Sequence, residues 1–255
     1  MSPDLTAAVE NAYRVFARYP LKGTVTVCPC CVSEEKARKL STESVSCISS
    51  ELLAEYTHSA HSWDGKVEDD LRYLLPRYFE LIAKDYYPAH FADEICLQRL
   101  YNADYRNTWR QADADAADRY FLALMRERLA KSVEVGWSGL PAGDNPVENV
   151  LCLVAHAGGD LMPLLNAWEA DGSRSATLHI AHAVSVAQWS ASKHLDNTWW
   201  RVDHARHAQT AMEQVIAWLL RPETRARLEA ACLDEKDATA AALLSHAEGL
   251  VGGMI

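Results

Sequence analysis

Four adjacent residues hold the densest chemistry in the chain: Cys28-Pro29-Cys30-Cys31. The C-P-x-C spacing places two thiols on one tight turn, as a zinc knuckle does. A closed structural zinc site takes four ligands, and no second C-x-x-C pair follows. His58 and His61 would supply the other half if they lie three apart on one helix face; Cys47 is a further candidate. Cys28, Cys31, His58 and His61 are therefore the candidate metal set, with zinc as the candidate cofactor. The interval between the pairs is long, and the gap between the histidines is shorter than in zinc fingers. Redox chemistry is a second reading, because Ser33 opens a helix just after Cys31 and a helix N-terminus lowers a thiol pKa. The βαβ surroundings of a thioredoxin-like site are absent. The leading expectation is simpler: Cys28, Cys30 and Cys31 are small apolar residues packed under the first helices.

Other motifs carry less. His-x-x-His recurs at His58/His61, His179/His182 and His204/His207. Most such histidines in a helical protein sit at interfaces or in solvent rather than on a metal. Glu55-Tyr56-Thr57-His58 fits one E-x-x-H of a di-iron bundle, but that site needs a second copy and two more glutamates. Gly136-Trp137-Ser138-Gly139 fails as a nucleophile elbow, since Leu140 stands where glycine is required. There is no G-x-G-x-x-G and no Walker A sequence. Catalytic residues are thus not assigned, and the balance leans against an enzyme. Trp63, Trp199 and Trp200, with Tyr86-Tyr87, could anchor a partner protein or close helix ends in the core. Arg77 and Glu80, three apart, are placed to pair on one helix. A crevice at the neighbouring Pro76 is a second use for them.

The elements that must position these groups are helices. Leu5, Val9, Ala12, Tyr13 and Phe16 mark one face of a first helix, which Pro20 stops. Ser33 is the expected N-cap of a second helix, with Val32 as its staple. Ser49 or Ser50 caps a third. A fourth spans about 67–83, with Leu71, Leu74, Leu75, Phe79 and Ile82 in its core and a kink or split expected at Pro76. Helices follow at about 92–101 and 112–132. Glycine, proline, Asp144 and Asn145 then crowd 136–146, which is loop chemistry. Beyond it, helices are expected at 147–157, 161–170, 176–190, 204–220, 222–233 and 237–250. Thr24 to Val27 alternates like a strand but has no mate, so it is read as extended loop. The fold class is all-α: antiparallel helical hairpins stacked as a bundle or an irregular HEAT-like array. Residues 1–255 form one helical domain, or two halves, 1–135 and 146–255, joined by the Gly/Pro loop.

Several stretches together resemble a family of uncharacterised bacterial helical proteins. The carrying residues are the C-x-x-C of Cys28 to Cys31 with Val32-Ser33, and the Leu-Pro-Arg-x-x-Glu-Leu segment Leu75-Pro76-Arg77-Tyr78-Phe79-Glu80-Leu81. Val215-Ile216-Ala217-Trp218-Leu219 and Arg227-Leu228-Glu229-Ala230-Ala231 also match its habit. The resemblance implies a helical fold and no particular activity. The family's Thr-x-Gly segment is replaced here by Ser62-Trp63-Asp64-Gly65.

Composition narrows the partners. The chain has 35 acidic and 25 basic residues, a net charge of −10. That surface repels a phosphate backbone, and the densest basic stretch, Arg126 to Lys131, also contains Glu127. Neither nucleic acid nor a membrane is an expected partner. Residues 1–20 include Asp4 and Glu10 and lack the apolar core of an export signal. The longest strongly apolar run, 150–155, is far short of a span. Seven cysteines, an odd number, suit a reducing, cytoplasmic setting. The expected function is a helical protein-interaction module, an adaptor or a toxin-neutralising partner. The alternatives are a structural zinc or redox-active cysteine cluster, and an enzyme with a His/acidic site between helices.

Overall fold

The computed structural model describes residues 1–60, 65–136, 139–186 and 206–254. The described residues are all-α: they form helices and no named strand, and one isolated antiparallel bridge joins Val135 to Pro141. They divide into two compact units. Unit 1 holds residues 1–124 and 156–159, and unit 2 holds 125–155 and 160–255. The division falls within a helix near Leu124, and the 136–146 loop belongs to unit 2.

Unit 1 begins with α1 (Pro3–Phe16). Ser2 Oγ accepts the Leu5 amide at 3.3 Å, and Pro3 stands at the first helical position, where its missing N–H costs nothing. Leu5, Ala8, Val9, Ala12 and Phe16 are buried, so the three- and four-residue spacing does form one apolar face. That face packs on α4 (Gly65–Ala83). Leu71, Leu74, Leu75, Phe79 and Ile82 of α4 are all buried, each contributing about 1.5–3 kcal/mol. The helix runs through Pro76 without the expected split. The Phe79 ring stacks on Tyr120 at 3.9 Å, and Tyr120 Oη donates to the Phe79 carbonyl at 3.0 Å.

Between them lie α2 (Glu34–Thr42) and α3 (Ser50–His58), packed on each other. Both expected caps are present. Ser33 Oγ accepts the Lys36 amide at 3.4 Å, and Ser49 Oγ accepts the Leu52 amide at 3.2 Å. Val32 is buried, as its staple position requires. The single helix expected at 92–101 is instead a 3-10 turn (Asp93–Ile95) and the short α5 (Gln98–Asn102). Leu97, at φ −108° and ψ 10°, leaves the helical region between them. Helix α6 (Tyr105–Thr108) and the start of α7 (Gln111–Leu129) complete the unit.

Unit 2 contains the end of α7, α8 (Pro146–His156, to Ala155), α9 (Met162–Ala170), α10 (Arg174–Val186), α11 (Arg206–Leu219), α12 (Pro222–Asp234) and α13 (Ala238–Met254). Helices α10, α12 and α13 pack on one another. Trp168 stacks on Trp218 at 5.0 Å, and its Nε1 donates to the Ala176 carbonyl at 2.9 Å. In the loop before α8, Gly139 has φ +75°, and a Cβ there would meet the Ala242 Cβ at 2.6 Å. Glycine is needed there for both conformation and space.

Candidate functional site

The cysteine turn is built from the segment before it. Residues 25–28 belong to no helix or strand. Their amides are taken by side chains of the surrounding elements. Val25 N–H donates to Ser41 Oγ at 2.9 Å, Thr26 N–H to Asp70 Oδ2 at 2.8 Å, and Cys28 N–H to Ser59 Oγ at 2.7 Å. Ser41 lies on α2, Asp70 on α4, and Ser59 directly after α3. Backbone polar groups need partners, and these three tie the segment to all three helices. Val25 is buried beneath it.

The turn itself closes on the Cys28 carbonyl, which accepts from the amides of Cys31 and Val32, both at 3.0 Å. Cys28 is half-buried, while Cys30 and Cys31 are exposed. The expectation of three packed, apolar cysteines is thus overturned. Both amides meet one carbonyl, closing the turn at the surface, where the Cys30 and Cys31 side chains meet solvent. Hydrogen bonding from the Cys30 amide, and then from the Cys31 thiol, holds Cys28 below the ordinary thiol range.

The C-terminal end of α3 is the second part of the site. Arg99 is buried and stacks its guanidinium 4.3 Å above the Tyr56 ring. It donates to the carbonyls of Tyr56, Thr57 at 3.3 Å and Ser59 at 2.7 Å. These are the acceptors that a helix end leaves open. Arg99 thus fixes Ser59, which in turn holds Cys28.

His58, the last residue of α3, faces the loop that follows α4. Its Nε2 accepts the His90 amide at 2.9 Å, and its ring stacks on His90 at 5.1 Å. Phe91 packs 4.8 Å from the same ring yet is 70% exposed. Burial, then the neighbouring His90 and Arg99, lower the His58 pKa, which suits a ring nitrogen that accepts a bond. Glu55 lies 3.5 Å from His90 Nε2 and 2.6 Å from Lys36 Nζ. Tyr86, in the same loop, is 60% exposed.

Among the described residues, no group of three or more His, Cys, Asp or Glu side chains is placed to hold a metal. Helix α3 ends at His58. His61, Trp63, Trp199 and Trp200 lie outside the described residues. Arg77 and Glu80 do pair, at 2.8 Å. They form a brace in unit 1: Arg77 Nε donates to the Ile48 carbonyl at 2.7 Å, and Glu80 accepts from Tyr13 Oη at 2.7 Å and Lys84 Nζ at 2.6 Å. Burial would raise the Glu80 pKa, but bonds from Lys84, Tyr13 and Arg77 override it and bring it to about 2.

Unit 2 has a cavity of about 290 Å³, lined in part by Lys131, Glu134, Asp144, Asn149, His179 and His182. Both histidines are buried where α10 meets the preceding loop, an interface between elements. Asn145 organises the wall. Its Oδ1 caps α8 by accepting the Val147 amide at 3.1 Å, and its Nδ2 donates to the His179 carbonyl at 3.0 Å. His179 Nδ1 lies 3.0 Å from that Oδ1, and Nε2 lies 2.9 Å from the Lys131 carbonyl. Both neighbours are acceptors and the neutral ring carries one N–H, so His179 donates to one of them and braces the loop against α10. Burial lowers its pKa to about 4. His182 Nε2 approaches the Gly143 carbonyl at 3.3 Å.

No family model, curated protein or solved structure matches the chain.

Proposed function

We propose that the chain is a helical protein-interaction module whose working surface lies around the C-terminal end of α3. The observation that supports this reading is Phe91, a large aromatic side chain 70% exposed yet held against the His58 ring. A pre-positioned exposed aromatic can be buried by a partner with little loss of side-chain freedom, and such residues dominate interface energies. Tyr86 adds a second aromatic in the same loop.

The net charge of −10 favours a partner with a basic face and disfavours nucleic acid and anionic membrane. No helix among the described residues is long and apolar enough to cross a membrane. The reading places the protein in the cytoplasm, where reduced thiols persist.

Affinity capture from native lysate with two baits, the full chain and its Phe91→Ala variant, tests the reading. The full chain should retain a stoichiometric protein that the variant loses at least tenfold, as for loss of about 1.4 kcal/mol or more at an anchor. Equal recovery by both baits, or recovery by neither, overturns it.

A further inference from the structure

The cysteine turn carries an inference that does not depend on any partner for Phe91. Cys28 and Cys31 occupy the first and last positions of a hydrogen-bonded four-residue turn, closed by the 3.0 Å bond from the Cys31 amide to the Cys28 carbonyl. Such a turn brings its end α-carbons within about 7 Å, and disulfides span about 4.4–6.8 Å between α-carbons. Pro29 sits at the second position, where its fixed φ favours the turn and restricts the open chain. The Cys28 end is anchored through its amide to Ser59 Oγ at 2.7 Å, and the Cys31 end is exposed. The Cys28 backbone is thus anchored and the Cys31 side chain accessible, at the two ends of one hydrogen-bonded turn.

We infer that Cys28 and Cys31 form a reversible dithiol–disulfide couple that exchanges with small-molecule disulfides of the glutathione type. Exchange begins when exposed Cys31 loses its proton to solvent and its thiolate attacks one sulfur of the external disulfide. A protein–glutathione disulfide forms, and the first glutathione leaves as a thiolate. Cys28, half-buried beside it, then attacks the Cys31 sulfur. The Cys28–Cys31 bond forms, the mixed disulfide breaks and the second glutathione departs. Two protein thiols are oxidised by two electrons, and one external disulfide is reduced to two thiols, which take up the protons. The Cys30 amide beside the Cys28 sulfur, which helps hold that thiol below its ordinary range, remains in place at this second step, where thiolate is the attacking species.

The other cysteines supply internal controls. Cys96 is buried, and its thiol is pushed well up by that burial. Cys47 is exposed but outside the turn.

The test equilibrates the full chain across glutathione redox buffers, quenches with acid, alkylates free thiols and maps them by peptide mass spectrometry. The expected result is concerted loss of two alkylatable thiols, mapped to a Cys28–Cys31 linkage, at ratios where Cys47 still alkylates. Cys28→Ser should then accumulate glutathione on Cys31, whereas Cys30→Ser should leave the transition unchanged. Circular dichroism on each variant checks its fold, and the wild-type mapping needs no variant. The inference is overturned if Cys28 and Cys31 stay reduced at every ratio. It is equally overturned if the linkage maps to other pairs, or if both thiols become reactive only after a chelator removes a bound metal.

Discussion

The amide of Cys28 donates to Ser59 Oγ at 2.7 Å, joining the cysteine turn to the end of α3. Ser59 is buried. Ser59→Ala leaves that amide without its acceptor, at a cost of about 1–3 kcal/mol. Urea unfolding should show this loss, and amide hydrogen exchange should quicken at Cys28 while α1 keeps its protection.

Arg99 lies one step behind this contact. Arg99→Met removes the donors to Tyr56, Thr57 and Ser59 together with the stack on the Tyr56 ring. The expected destabilisation is about 2–4 kcal/mol, combining charge-assisted hydrogen bonds with a cation–π contact. Chemical denaturation measures it, and the far-UV spectrum should stay helical.

Glu80 gives unit 1 an acid limit. Its folded pKa, about 2, lies below its ordinary 4.5. Between these values the unfolded chain binds the proton more readily, so the stabilisation is present above pH 4.5 and fades as pH falls towards 2. Glu80→Gln should flatten that part of the stability–pH curve while lowering stability at pH 7.

His179 sets a second limit, in unit 2. Its pKa falls from 6.5 to about 4 through burial. The contribution is therefore complete above pH 6.5 and declines as pH falls towards 4. His179→Gln should remove this slope in denaturant titrations at a series of pH values, leaving the Glu80 region intact.

What the sequence disclosed follows from the range of each interaction. The Ser33 and Ser49 caps, the face of α1 and the Arg77–Glu80 pair are legible because their partners lie three or four residues away. The limits of α3 are not. Arg99 closes it from about forty residues further on, with no local stop signal at His58. The segment Thr24 to Val27 reads as loop without a strand partner, and it is one; but Ser41, Asp70 and Ser59, which accept the amides of Val25, Thr26 and Cys28, lie 16 to 44 residues away. The exposure of Cys30 and Cys31 is not legible, because residue type favours burial, whereas the tight turn leaves both at the surface. The bracing of His179 by Asn145 escaped for the same reason: the loop composition was visible, but not the helix it meets.

The proposed function requires that a partner protein cover the α3 end of unit 1. The most direct measurement is photo-crosslinking in cells, with a photoreactive phenylalanine analogue in place of Phe91 and, separately, in place of Glu229. Glu229 is an exposed residue of α12 in unit 2. A discrete crosslinked species is expected from position 91 and none from position 229. Absence of any adduct at position 91, or the same adduct from both positions, would contradict the proposed function.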